Sequence, residues 1–359
     1  MVADSTIYIF WHFVSISVNI YKDYGKTLIM EKLNIPSLSG KKILITGGCG
    51  FLGSTLAKRL VATGGSVTLF IKPGKDLGNV REIKEKISII KGSLLDKNGV
   101  AKAVEGKDYL FHFAWQTDLK KSMENPQTDI NSDIIGLVNI LETCRKNNPN
   151  LKIIFASTVT LMDMTGGINY DEGVRENPLS IYDVNKFAAE KYLSMYFKIY
   201  GLKIAVLRLA NVFGEGQRID NPNRGVLNFM IGKALKGEKL LIYGEGDFIR
   251  DYSYVQNYID AFILTAVSEK TNGGVFILGS GQGLKFVEVV NKIKEFVKEI
   301  AGKEVIVEHV PFPEGEHAIS KRNFIADYSK LHRTTGWFPQ ISFEEGLKKT
   351  IEFFNDRVN

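Results

Sequence analysis

Cysteine is nearly missing from this 359-residue chain. Cys49 and Cys144 are the whole supply, too few for a disulfide framework and without a CxxC pair. A reducing, cytoplasmic setting is the simpler reading. The five histidines, His12, His112, His309, His317 and His332, show no zinc-type spacing, and no metal is expected. Lys and Arg total 46 against 40 Asp and Glu, for a net +6. With no Lys/Arg-rich block, that mild excess does not mark nucleic acid as a partner. Internal repeats and low-complexity tracts are missing too. What remains, 44% hydrophobic and 24% charged, is the balance of a globular protein with a large core. The 34 glycines slightly exceed ordinary usage of about 7%, so their placement carries information.

The first residues stand apart. Residues 6–20, TIYIFWHFVSISVNI, are apolar but broken by His12, Ser15, Ser17 and Asn19. A spanning helix needs about 20 residues, so no stable membrane span is expected. Asp4 and the want of an A-x-A site argue against a signal peptide. Residues 1–40 are read as an N-terminal extension, disordered or a mis-assigned start with Met30 the true one. A membrane-associating leader is the alternative.

From Lys41 onward strands alternate with helices. Strands are expected at Lys41–Thr46, Ser66–Ile71, Ile87–Ile90, Tyr109–Ala114, Leu151–Ala156 and Lys203–Leu209. Helices are expected at Phe51–Val61, Lys97–Val104, from Pro126 to Cys144, and Tyr182–Tyr200. This βαβ rhythm predicts an α/β fold with a doubly wound parallel sheet over 41–210. The stretch 211–255 reads as loop-rich. Helices at 256–268, 284–300, 328–335 and 343–354, with strands at 240–243, 274–278 and 304–308, predict a smaller C-terminal α/β lobe over 211–359, with some crossing of the chain between the two.

Gly47-Gly48-Cys49-Gly50-Phe51-Leu52-Gly53 follows the first strand and opens a helix, the context of a Rossmann-type dinucleotide fingerprint. Gly47 permits the turn, Gly50 lets the backbone approach a pyrophosphate, and Gly53 allows close helix–strand packing. The helix start at Phe51 and Leu52 offers free N–H groups to the phosphates. An acidic residue ending the second strand would select NAD. Here Lys72 and Lys75 precede the first carboxylate, Asp76, which leans the choice toward NADP.

Tyr182 and Lys186, four residues apart at the start of a helix, share a face. A neighbouring ammonium, together with a cationic nicotinamide, would lower the phenol from its usual pKa of about 10 toward a working range. Ser157-Thr158 ends the preceding strand and can place a hydroxyl on a reacting oxygen.

With these features on the chain, residues 41–355 resemble the extended short-chain dehydrogenase/reductase family, in particular the nucleotide-sugar epimerases and dehydratases of the UDP-glucose 4-epimerase type. The likeness rests on Gly47–Gly53, His112-Phe113-Ala114, Ser157-Thr158, Tyr182/Lys186 and the run Arg208 to Gln217. It continues in Tyr243-Gly244-Glu245-Gly246, Arg250-Asp251-Tyr252 and Asp327…Gly336-Trp337…Pro339. The resemblance implies that Tyr182 is the acid/base, that Lys186 holds the nicotinamide ribose, and that Thr158 orients the sugar oxygen. It places Ser93, Leu94 and Ala114 against the cofactor, NAD or NADP, and Asn211, Arg250 and Arg322 on the substrate diphosphate. It also implies a nucleotide-sugar substrate and a homodimer through the helices near 125–145 and 182–200.

Departures narrow the group. The similar dehydratases carry Thr-Asp-Glu where this chain has Thr158-Val159-Thr160, so the proton handlers for eliminating water are missing. The related decarboxylases keep a Glu at the Thr160 position and are disfavoured as well. Ser93 stands where an Asp commonly reads adenine, and Asp133 where an Asn is often found. Epimerisation, at C4 of a UDP- or other NDP-hexose through a transient 4-keto sugar, is the leading expectation. Reduction of an NDP-4-keto-deoxysugar by NADPH is the alternative, and a non-catalytic NADP-binding sensor a third.

Overall fold

Seven parallel strands make the central sheet: β1 (Lys42–Thr46), β2 (Ser66–Ile71), β3 (Ser88–Lys91), β4 (Tyr109–His112), β5 (Lys152–Thr158), β6 (Ile204–Leu209) and β7 (Val275–Leu278). Their order is β7-β6-β5-β4-β1-β2-β3. The computed structural model describes residues 19–23, 26–30, 33–312 and 322–358. The strand order reverses between β1 and β4, and ligands of such sheets bind outside the carboxyl ends of the strands at that point. Apolar runs explain the strands: β1 and β2 bury every residue after the first, and β5 buries all seven. Helices cover both faces, as the alternation predicts.

The helix expected from Phe51 runs Phe51–Ala62 and turns Leu56, Ala57 and Leu60 into the core. The one expected after Pro126 has three parts: Pro126–Asp129, a π-helical turn Ile130–Ile135, and Gly136–Asn147. Such widened turns are rare and recur at functional sites; this one carries the buried Asp133. Helix Ile181–Tyr200 starts where Ser180 accepts from the Asp183 N–H at 3.1 Å and ends at Gly201, whose φ is +70°.

Beyond Asn211 the structure is more regular than the sequence suggests. The stretch read as loops contains helix Val226–Leu235 and the strands Asn211–Phe213 and Ile249–Tyr254, which join Gly283–Lys285 in a three-stranded sheet. Gly232 in mid-helix conceals the first of these; a Cβ there would lie 2.4 Å from the Ile219 carbonyl oxygen. The strand expected at 274–278 joins the central sheet beside β6, so the chain crosses back. Leu240–Tyr243 pairs with Val307–Val310. Within the extension read at 1–40, Asn19–Asp23 and Lys26–Met30 pair antiparallel in a unit of their own. Residues 1–18 lie outside the described residues, as does much of the leader reading. Among the described residues no helix is long and apolar enough to cross a membrane.

A buried ion network fastens helix Ile181–Tyr200 to the sheet. Arg208 of β6 donates to both oxygens of Glu190 (Nε–Oε1 3.0 Å, Nη2–Oε2 2.6 Å) and to Glu176 (2.6 Å). Ser157 Oγ donates to Glu190 at 2.5 Å. Removing one partner of such a network strands the others without water. Arg208→Met is expected to lower unfolding stability by about 3–5 kcal/mol, read by urea denaturation; an unchanged midpoint and slope would contradict this role.

Candidate active site

The loop after β1 is built by close packing. Gly47 has φ +69°, and a Cβ on it would sit 2.7 Å from the Ala114 nitrogen. A Cβ on Gly53 would sit 2.5 Å from the Gly47 carbonyl oxygen. Gly50 differs. Its φ of −76° and ψ of 178° suit any residue, and a Cβ there meets only the Gly47 oxygen, at 3.1 Å. Gly50 therefore supplies room rather than a special conformation. Beneath it, Thr46 Oγ1 is 2.7 Å from His112 Nδ1 and accepts from the Ala114 N–H at 3.3 Å.

This loop opens on a cavity of about 1170 Å³. Its walls include Gly47, Gly50, Phe51, Leu52, Gly53, Lys72, Ser93, Leu94, Ala114, Thr158, Tyr182 and Lys186, so residues spread over 140 positions converge. The floor that Gly50 leaves open, at a helix N-terminus, fits a pyrophosphate. Lys72 and Lys75 line it with exposed side chains, but so does Asp76, whose Oδ1 accepts from the Gly78 N–H at 2.9 Å.

Lys186 is buried. Its Nζ donates to the Ala156 carbonyl oxygen at 2.6 Å and lies 4.0 Å from the Trp115 ring centroid and 5.8 Å from that of Tyr182. Burial pushes the ammonium's pKa down, while the charges of Asp133 and Glu190 push it up. Asp133 accepts from Ser132 Oγ (2.9 Å) and the Gln116 N–H (3.2 Å). Burial raises its carboxyl above the usual range, against those bonds and the charge of Lys186. His112 is held near pKa 3 by burial and by Lys186, so the ring is neutral.

Tyr182 is half-buried and shares the cavity wall with Thr158. Burial, chiefly, and then the charge of Asp183 push the phenol well above its ordinary value; the Thr158 hydroxyl opposes them, and Asp133 adds a smaller rise. The two hydroxyls ending β5 also part company: Ser157 turns to Glu190, and Thr158 to the site.

A second cavity, about 680 Å³, shares Val212 and Gln217 with the first. Asn211 and Arg250 line it. Asn211 Nδ2 donates to the Asp251 carbonyl oxygen at 3.0 Å. Arg322 is not among its lining residues; its Nη1 donates to the Thr160 carbonyl oxygen at 3.1 Å. The two guanidiniums still feel each other: burial and then, after a small opposing effect from Tyr252, the charge of Arg322 lower Arg250. A guanidinium on this wall suits an anion. The sequence reading missed the apolar walls of this cavity, among them Tyr243, Phe248, Phe286 and Phe312. Tyr243 and Phe312 stack at 6.0 Å although 69 residues apart; no local pattern joins them.

Comparison with known proteins gives the family. The model of the NAD dependent epimerase/dehydratase family matches residues 43–279. The UDP-N-acetyl-alpha-D-glucosaminuronate decarboxylase of Bacillus cytotoxicus is 34% identical, over 89% of this chain and 99% of its own. The UDP-glucose 4-epimerase of Thermotoga maritima, solved with UDP-glucose, is 30% identical with a TM-score of 0.77, over 89% of this chain and 100% of its own. That of Thermus thermophilus, solved with NAD, is 31% identical with a TM-score of 0.76, over 87% and 98%. The chain belongs to the NAD-dependent epimerase/dehydratase family, among the nucleotide-sugar enzymes of the extended short-chain dehydrogenase/reductase group.

Proposed function

We propose that this enzyme epimerises a nucleotide sugar at C4. The observation that carries the reading is the end of β5: Thr158 and Thr160 offer hydroxyls, Val159 offers none, and Thr158 and Tyr182 line the same cavity. Elimination lacks the acid and the base that Asp and Glu at positions 159 and 160 would supply, and decarboxylation lacks the Glu at 160, even though two similar proteins are decarboxylases. A bound nicotinamide dinucleotide supplies a hydride acceptor that later returns the hydride. Gly50 and the start of helix Phe51–Ala62 seat its pyrophosphate, Leu94 and Ser93 border its adenosine, and Lys186 holds its nicotinamide ribose. Asn211 and Arg250, with Arg322 beyond, hold the substrate diphosphate. Tyr182 takes the proton from the sugar 4-hydroxyl as hydride leaves C4, then returns it after the ketone has turned. Thr158 orients that oxygen.

A second reading, reduction of a 4-keto sugar by NADPH, is favoured by Lys72 and Lys75 at the cavity wall; two solved relatives, both UDP-sugar or NAD complexes, favour the first. The buried thiols Cys49 and Cys144 suit a cytoplasmic enzyme. A homodimer is proposed through helices near 126–147 and 181–200, which pack side by side. They expose Ile130, Ile135, Val184, Met195 and Ile199, the last 68% accessible.

Purified enzyme given UDP-glucose is expected to form UDP-galactose without net NADH or NADPH production. Tyr182→Phe should lose about 10²–10⁴-fold in kcat; full activity in that variant would remove Tyr182 from the reaction. Gly50→Val should keep its melting temperature within a few degrees yet weaken dinucleotide binding at least about tenfold, by calorimetric titration, because the side chain fills the pyrophosphate floor. Mass spectrometry of the copurifying nucleotide decides between NAD and NADP. Light scattering should return twice the chain mass, and Ile199→Asp should reduce it to one.

A further inference from the structure

The Lys186 ammonium sits where little can hydrogen-bond it. Its side chain is buried, and the bond to the Ala156 carbonyl oxygen at 2.6 Å is its only hydrogen bond among the described residues. Two aromatic rings flank it instead. The Trp115 centroid lies 4.0 Å from Nζ and the Phe155 centroid 4.5 Å, both inside the reach of about 6 Å over which a ring face attracts a cation. Trp115 comes from the segment after β4, Phe155 from β5 and Lys186 from helix Ile181–Tyr200.

The Trp115 ring is fixed by its neighbours rather than by its own N–H. It stands at a steep angle to Phe155 (centroids 5.3 Å apart, planes at 66°) and edge-on to His112 (6.3 Å, 81°). His112 is tied in turn to Thr46 beneath the dinucleotide loop, at 2.7 Å. The indole Nε1 is buried without a hydrogen-bond partner among the described residues, whereas a buried indole usually finds one. An aliphatic side chain would fill the same space and strand no donor. The ring also lines the larger cavity, beside the ammonium it faces.

A ring face and a carboxylate leave an ammonium with different resources. A carboxylate takes N–H groups as hydrogen bonds, while a ring attracts the charge and takes none in that way. Asp133 and Glu190 attract Lys186 by charge, but Asp133 is bonded to Ser132 and Gln116, and Glu190 to Arg208 and Ser157. Of the three donors of an ammonium, one goes to Ala156 and the others stay available. We infer that Trp115 is a positioning residue whose ring face, with that of Phe155, holds the Lys186 ammonium in place and leaves its remaining N–H groups for the ribose hydroxyls of the dinucleotide. The inference rests on the reading of Lys186 as the group that holds the nicotinamide ribose.

The test is calorimetric titration of the full-length chain with NAD and with NADP, following whichever binds wild type more tightly. Trp115→Leu should weaken binding about tenfold, the size of a sheltered cation–π contact, while Trp115→Phe, which keeps a ring, should stay within about threefold of wild type. Lys186→Met should weaken binding by about tenfold or more. Adding Trp115→Leu to Lys186→Met should then cost less than about twofold, because the ring has no cation left to hold. Fluorinated tryptophans at position 115 keep the shape and weaken the ring face, so affinity should fall with each added fluorine; this arm stands even where Trp115→Leu does not fold. Wild-type binding by Trp115→Leu, a flat fluorine series, or an equal loss from Trp115→Leu with and without Lys186 overturns the inference. Wild-type binding by Lys186→Met removes the ribose reading and the inference with it. No turnover is measured, so a failure to convert any sugar nucleotide bears on the proposed function alone.

Discussion

The buried pair between Arg208 and Glu190 is the constraint on which the site depends. Helix Ile181–Tyr200 carries Tyr182, Asp183 and Lys186 on its first two turns, while β5 carries Thr158. Nothing local to either element sets their relative height. The guanidinium of β6 does so by gripping Glu190 with two of its nitrogens, and Ser157 adds a third bond to the same carboxylate. Because Glu190 lies four residues beyond Lys186, the grip reaches the ammonium directly, and its charge helps keep Lys186 protonated in a place that burial makes unfavourable.

Around that anchor, charges are placed where water is scarce. Asp133 sits on a π-helical turn and opposes Lys186 across the larger cavity's wall. Arg250 and Arg322 press on each other near the smaller one. The shared wall at Val212 and Gln217 brings the two places within reach of one elongated molecule.

Much of the larger cavity was legible beforehand. Gly47 to Gly53 announces itself because a helix start that must approach a phosphate tolerates few side chains, and Tyr182 with Lys186 because helical geometry puts them on one face. What was not legible is the upward push on the Tyr182 phenol from burial and from Asp183, the next residue in the chain. Helix Val226–Leu235 was hidden by Gly232, whose reason for being glycine is the Ile219 backbone thirteen positions away.

The sequence by itself determined the parallel sheet, the dinucleotide loop and the family, since each follows from short-range periodicity or from residues that cluster within a few positions. Only the tertiary structure decided that Ser157 is taken up by Glu190, that Thr160 meets Asp183, and which aromatic rings wall the second cavity. Those outcomes depend on side chains far apart in the chain competing for the same partners, and such competition is settled by packing and burial rather than by spacing.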